Sequence, residues 1–166
     1  MVMSRRPVKT IAEFSQGLIG KSCWSTIAGV GTGSMVTLAF GEKVRRRKSV
    51  RNPMLTQEER EFEGEFVIFI KDSEWRLSNG DMAICTSDDS NEANGLMLSG
   101  LQGLVGRTVV AMRTINDRGG LKLDFNEGWN IQVSGVDRLA ELDNYSLFYR
   151  GSLIGDDGSR TRRDDY

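Results

Sequence analysis

The sequence contains one unit twice, and this internal repeat is the feature that most constrains the fold. Residues 16–21 read QGLIGK and residues 102–107 read QGLVGR, 86 positions further along the chain. The later matches, in chain order, are VTLAF (36–40) with LKLDF (121–125), Glu63-Gly64 with Glu127-Gly128, Trp75-Arg76-Leu77 with Tyr145-Ser146-Leu147, and Gly80 with Gly151. An ordered series of matches, with length changes confined to turns, is hard to produce by chance. We therefore predict two degenerate copies of one supersecondary unit.

The repeat also sets the expected domain organisation. A chain of 166 residues fits one domain and can bury a core without disulfides or metals. The predicted segments are a single β-rich domain (1–155), two pseudo-repeats (about 16–90 and 102–155), a charged insertion in the first copy (42–62) and a disordered polar tail (156–166).

Each copy has the composition of β-strands. Its apolar segments are short, rich in β-branched and aromatic residues, and separated by glycine turns. We predict a mainly β fold in which two degenerate antiparallel β-meander repeats form one sandwich or open barrel. Capping boxes that begin at Thr10 and Thr56 predict one or two short helices, the second inside an insertion that otherwise projects as a loop. Leu18 and Leu104, each between two glycines, are expected in equivalent buried positions.

The composition excludes several kinds of active site. The chain has no histidine, so it has neither a Cys–His pair nor a Ser–His–Asp triad. Its two cysteines, Cys23 and Cys85, are too few for a zinc site and indicate small buried hydrophobes in a reducing, cytoplasmic compartment. The segment GLIGKS (17–22) precedes a predicted strand, so we interpret it as a turn and expect no cofactor.

The insertion concentrates opposite charges. Residues 43–51 (KVRRRKSVR) carry six positive charges, and residues 58–65 (EEREFEGE) carry five negative charges and one positive. Three interpretations remain open: a solvated loop, a charged docking surface for a protein, or a weak nucleic-acid site through the basic run. The candidate interaction residues are Arg45, Arg46, Arg47, Lys48, Glu58 and Glu59.

Carboxylates supply the alternative in which the protein acts on a small molecule. Asp72, Glu74, Asp124 and Glu127 lie at the ends of predicted strands in the two copies. If they converge in the cleft between the repeats, they could bind a small ligand or hold Mg²⁺ for catalysis.

The order of these patterns resembles that of a family of small uncharacterised bacterial proteins. The patterns are GSMVTLAFG, GEFVIFI, WRL, GLVGRTV, LKLDF and YSLF, and they cover roughly residues 15–155. The resemblance implies a duplicated β-rich fold and carries no biochemical activity. Proteins of this size and style are similar to immunity proteins of bacterial toxin systems. Our leading hypothesis is therefore a non-enzymatic protein-binding module, possible partners being a co-encoded toxin or a second copy of the chain, with no membrane contact.

Overall fold

The computed structural model describes residues 8–28, 35–71, 73–115, 120–134 and 145–154. The strands are β1 (Cys23–Ile27), β2 (Val36–Arg45), β3 (Phe62–Ile70), β4 (Trp75–Asn79), β5 (Met82–Thr86), β6 (Val109–Ile115), β7 (Gly120–Phe125), β8 (Trp129–Val133), β9 (Tyr145–Tyr149) and β10 (Ser152–Leu153). The helices are α1 (Ile11–Leu18), α2 (Gln57–Glu61) and α3 (Leu96–Gln102). None of these helices is long and apolar enough to cross a membrane.

The strands form two antiparallel five-stranded sheets that pack face to face, which confirms the predicted mainly β fold. Sheet 1 has the order β1-β2-β3-β9-β10, and sheet 2 has the order β5-β4-β8-β7-β6. Alternate residues of each strand point inward and meet in one continuous apolar core. The prediction of a disordered tail at 156–166 lies outside the described residues.

The two repeats exchange their last hairpins, which the sequence patterns did not indicate. The first repeat supplies β1, β2 and β3 to sheet 1, but its β4–β5 hairpin pairs with β8 in sheet 2. The second repeat supplies β6, β7 and β8 to sheet 2, and its β9–β10 hairpin pairs with β3 in sheet 1. Each sheet therefore contains strands from both repeats, and neither sheet is complete without the other copy.

The two repeats meet at Ser22 and Thr108, equivalent residues that form an isolated antiparallel bridge. Gly20 N–H donates to Val109 C=O, and the equivalent Gly106 N–H donates to Cys23 C=O, both at 2.8 Å. Gly20 and Gly106 both have positive φ, +88° and +91°, so each repeat enters its first strand through a turn that favours glycine. The symmetric bonds join the two copies at the place where their sequences agree best.

Strand registers extend the equivalence and correct two of the matches. The pairs Leu38–Ile68 and Leu123–Ile131 are equivalent, so the strand register places Glu65 and not Gly64 opposite Gly128 in the comparison. Both first strands carry a β-bulge, between Cys23 and Ser25 in β1 and between Val109 and Ala111 in β6. In the exchanged hairpins, Asn79 pairs with Met82 and Tyr149 pairs with Ser152. The structural equivalent of Gly80 is consequently Arg150, one residue before the Gly151 that sequence matching selects, and both have positive φ.

The core repeats the same symmetry. The Phe40 and Phe125 rings, which occupy equivalent positions in β2 and β7, stack with centroids 6.2 Å apart. Leu18 and Leu104 are both fully buried, as the repeat predicts. A Cβ atom built on Gly17 would lie 2.8 Å from the Phe66 ring, and one built on Gly103 would lie 2.6 Å from the Trp129 ring. At these two equivalent positions a helix crosses an aromatic ring of its own repeat, so both positions need glycine.

The insertion is more structured than a loop. Its first residues continue β2 as far as Arg45, which pairs with Phe62 at the start of β3. The predicted helix after Thr56 is confirmed as α2, and a full capping box joins Thr56 and Glu59. The Glu59 carboxylate also accepts a 2.6 Å hydrogen bond from Ser25 Oγ, so α2 is attached to β1. The insertion is thus a long hairpin whose helix returns to the edge of sheet 1.

Candidate functional site

The outward face of sheet 2 carries a row of polar side chains that the strand registers place side by side. From β6 to β5, directly paired residues form the sequence Arg113, Lys122, Gln132, Arg76 and Thr86. Neighbouring strands are about 4.8 Å apart, so the three cations of this basic row span about 14 Å. A second row beside it contains Ala111, Asp124, Asn130, Ser78 and Ala83. We call these two rows the polar face.

The equivalent positions of sheet 1 carry different chemistry. Its rows are Ile27, Thr37, Phe69 and Ser146, and Ser25, Ala39, Val67, Phe148 and Leu153. Ala39, Val67 and Phe148 are at most 7% exposed, so this outward face is largely covered. The two sheets share one backbone plan, so the difference between their outward faces lies in the side chains. The polar face meets solvent, and the outward face of sheet 1 is largely covered.

A concavity of about 370 Å³ lies on the polar face, lined by Arg76, Ser78, Gly80, Asp81, Lys122, Asn130 and Gln132. Arg76 is held in place, since its Nε donates to Ser78 Oγ and its Nη2 donates to the Asp81 carbonyl, both at 3.1 Å. Its Nη1 has no partner among the described residues. The Arg76 guanidinium is therefore oriented by the protein and still has donors to offer a ligand.

Asp124 moderates the charge of the basic row. Its carboxylate lies 3.7 Å from Lys122 Nζ and 3.9 Å from Arg113 Nη2, with both cations partly open to solvent. Such exposed pairs contribute little to stability. The three cations and the carboxylates of Asp124 and Asp81 together give the polar face a net charge of about +1. It can bind anions by charge-assisted hydrogen bonds from its guanidinium and ammonium groups, and its amides can add neutral contacts.

The insertion residues predicted as an interaction surface serve mainly to hold the insertion together. Arg46 is half-buried, and its Nε donates to the carbonyls of Glu59 and Phe62 at 3.2 Å. The Arg45 guanidinium stacks on the Phe62 ring at 4.8 Å. Glu59 is committed to the cap of α2 and to Ser25, as described above. Three of the six predicted residues thus have local structural roles.

The remaining members of that set lie at the surface. Glu58 forms an ion pair with Lys43, whose ammonium also lies 5.3 Å from the centre of the Trp24 ring. Arg47 and Lys48 are exposed at the tip of the insertion. No aromatic side chain lies beside them in the sequence, so base stacking at this tip has no support.

The carboxylates named as candidates for a shared site do not meet among the described residues. Asp72 lies outside the described residues. Glu74 precedes β4, whose first residue pairs with the last residue of β8, whereas Asp124 faces Asn130 near the start of β8. Glu127 lies in the β7–β8 turn, where it pairs with Arg107 at 2.9 Å. Among the described residues, no group of three or more acidic or cysteine side chains could hold a metal ion.

Among the described carboxylates one is buried, and cations lie close to it. Glu65 is 7% exposed, and its oxygens lie 3.5 Å from Lys21 Nζ and 3.6 Å from Arg150 Nη2. Arg150 belongs to the exchanged β9–β10 hairpin and also pairs with Glu42 at 2.8 Å. Burial of a charge is costly unless it is paired, and here the partner comes from the other repeat. We interpret this cluster as a connection between the repeats.

Neither cysteine has the environment of a reactive thiol. Burial raises the pKa of the Cys23 thiol from 9.0 to about 12. Burial, with a smaller effect of the Asp89 charge, raises the pKa of Cys85 to about 11. Both thiols therefore stay protonated and inaccessible in the native state near neutral pH.

We expect neither thiol to react with a disulfide reagent at pH 8 in the native protein, and both to react in guanidinium. The unfolded thiols ionise near pH 9 and the native ones do not. The contribution of the two buried thiols to the free energy of unfolding is therefore complete below that pH. It is lost as the pH rises toward 11. Thiol titration and unfolding curves at pH 8 and pH 10 measure the two effects. Rapid native labelling at pH 8 would contradict the assigned burial.

Sequence reasoning missed the polar face, although the sequence carries a signal for it. In WRLS, LKLDF and WNIQV, charged or amide residues alternate with apolar ones at the period of a strand. The alternation shows that the polar side chains point outward. Only the pairing of β4, β7 and β8 brings them into one row.

Comparisons with protein-family models, curated proteins and solved structures find no match to this chain. The resemblance to a bacterial family therefore rests on the sequence patterns alone.

Proposed function

We propose that this protein is a non-catalytic binding module that recognises an acidic segment of a partner protein through the polar face of sheet 2. The observation that supports this proposal most is the basic row, in which Arg113, Lys122 and Arg76 lie on one solvent-facing surface. The equivalent surface of sheet 1 is largely apolar and covered.

The shape of the polar face favours a macromolecular partner. Small-molecule sites are usually enclosed and largely apolar, whereas this concavity is open and polar throughout its lining. Carboxylates spaced along an extended acidic segment could pair with cations about 5 and 10 Å apart, at the spacing of the strands. The amides of Gln132 and Asn130, which lie between the cations, could bond the main chain of such a segment.

The same face is less suited to nucleic acid. None of the residues in its two rows is aromatic, so it offers no surface on which bases could stack. Elimination supports a non-catalytic role, since the chain lacks histidine and its described carboxylates are separated or paired with cations.

The test is an NMR titration with a hexaglutamate peptide. A seven-nucleotide oligothymidylate, which carries about the same negative charge, is the competing probe. We expect the amide signals of Lys122 and Gln132 to shift with hexaglutamate. The double variant Arg76→Gln, Lys122→Gln should weaken this binding about 2- to 30-fold, the effect of two exposed charge pairs. The control Arg47→Gln, Lys48→Gln removes the same charge from the insertion and should leave the affinity unchanged.

Two results would contradict the proposal. If the insertion variant weakens hexaglutamate binding as much as the polar-face variant, the interaction is only a general charge effect. If oligothymidylate binds the polar face more tightly than hexaglutamate, nucleic acid is the better partner. The narrower hypothesis of a toxin-immunity protein has a separate test: co-purification with a toxin encoded by a neighbouring gene, and protection of cells that express it.

A further inference from the structure

A second cleft lies at the edge of sheet 1, away from the polar face. It has a volume of about 190 Å³ and separates β1 from α2 and from the end of α3. Trp24 and Thr26 line it from β1, Glu58 and Glu59 from α2, and Val105 from the turn after α3. Val105 is 37% exposed, so the cleft offers an apolar contact beside its polar groups.

Trp24, which lines this cleft, has a hydrogen-bond donor without a partner. Its indole Nε1 is buried and has no hydrogen-bond partner. A buried N–H without a partner costs free energy, and most buried donors in native proteins are satisfied. The bulge in β1 places Trp24 here, whereas the equivalent bulge residue of β6 is Val110, which has no polar atom. The indole N–H without a partner is therefore present in the first repeat and absent from the equivalent position of the second.

The main chain of β1 is also unpaired beside the cleft. Cys23 directs its N–H and C=O away from β2, to Arg107 C=O and Gly106 N–H. After the one-residue bulge, the alternation of an antiparallel strand makes Thr26 the next residue whose main-chain groups point outward. The described contacts give these Thr26 groups no partner.

The edge strand of sheet 2, β6, has its outward carbonyl occupied at the equivalent position. The equivalent of Thr26 in β6 is Met112, whose carbonyl accepts a 3.2 Å hydrogen bond from Ser15 Oγ of α1. The residue of α3 equivalent to Ser15 is Leu101, which has no hydroxyl and is buried in the core. The edge strand β6 is thus hydrogen-bonded to α1 at this position, whereas Leu101 of α3 offers β1 no such hydrogen bond.

We propose that the cleft is a strand-addition site for an extended peptide segment that carries a lysine or arginine. The peptide main chain pairs with the outward groups of Thr26, and the Trp24 indole, whose Nε1 is buried in the unbound protein, turns so that this N–H donates to one of the peptide carbonyls. Its cationic side chain lies against Glu58, where Lys43 now forms the ion pair. This charge preference is opposite to that of the polar face, so the inference is independent of the proposed function.

The test uses two hexapeptides of alternating threonine and valine that differ only in one central residue, lysine or glutamate. We expect the lysine peptide to shift the Trp24 indole N–H and Thr26 amide signals saturably, and the glutamate peptide to shift neither. Trp24→Phe should weaken binding about fivefold, the effect of one lost hydrogen bond. The matched control Trp129→Phe, against which Arg107 stacks at 4.1 Å, should not change the affinity.

A second pair of variants tests the main-chain contact. Thr26→Pro removes the outward N–H, in a position where an edge strand tolerates proline, and should abolish binding. Thr114→Pro makes the same change in the other edge strand, β6, and should leave binding intact. Equal binding of the lysine and glutamate peptides, no shift at Trp24 and Thr26, or unchanged affinity of Trp24→Phe would each overturn the proposal.

Discussion

Replacing Trp75 with alanine should lower the free energy of unfolding by about 3–5 kcal/mol, the range for removal of a buried aromatic side chain. Trp75 is 2% exposed and begins β4, the strand that the first repeat contributes to sheet 2. It pairs with Val133 of β8 in the second repeat. Its loss therefore weakens the contact between the two copies as well as the core.

Met82 in the same hairpin provides the control. It is 67% exposed, so Met82→Ala should change the free energy of unfolding by less than about 0.5 kcal/mol. Urea unfolding followed by far-ultraviolet circular dichroism measures both variants. A loss below 1 kcal/mol for Trp75→Ala, or separate unfolding of the two sheets, would show that the exchanged hairpin is not part of a single cooperative core.

Cutting the chain between Ala93 and Asn94 should leave two fragments that do not fold as separate monomers but restore the fold when mixed. The fragment 1–93 keeps β1, β2 and β3 but lacks the β9–β10 hairpin, and its own β4 lacks β8. If β4 turned back onto β3, the result would be a single sheet whose inner face, including Phe40, had no layer against it. A single amphipathic sheet has to cover that face to be stable.

Size-exclusion chromatography and thermal unfolding of each fragment, alone and as an equimolar mixture, measure this result. The mixture should form a 1:1 complex with one cooperative transition. Arg150 favours the mixed pair, since it meets Glu42 and Glu65 from the other repeat and its equivalent in the first repeat is Gly80. A folded, monomeric 1–93 fragment would contradict the exchange.

Local sequence was sufficient for the elements whose determinants are close together in the chain. Thr10 caps α1 through Glu13 N–H, and Thr56 and Glu59 form the capping box of α2, as their spacing predicts. The alternation of apolar residues predicted the strands, and the repeat predicted that Leu18 and Leu104 would be buried alike. These features depend on interactions within a few residues or on a pattern that both copies share.

The candidate sites depend on pairings between distant segments. The insertion was a candidate interaction surface because its charges are consecutive in the sequence. In the structure, however, Arg46 and Glu59 form internal contacts. The basic row joins Arg76 to Lys122 across β8, 46 positions apart in the chain. Charges that are scattered in the sequence form a surface only through strand register, so their proximity could not be predicted.

The sequence by itself determined the duplicated β-rich unit, its turns and its helix caps. Only the tertiary structure decided that β4 pairs with β8 rather than with β3. The physical reason is the symmetry itself, because β3 and β8 are equivalent strands and present equivalent edges to either hairpin. The choice is made by contacts that exist only in the assembled sandwich, such as the cover over the inner face and the approach of Arg150 to Glu65.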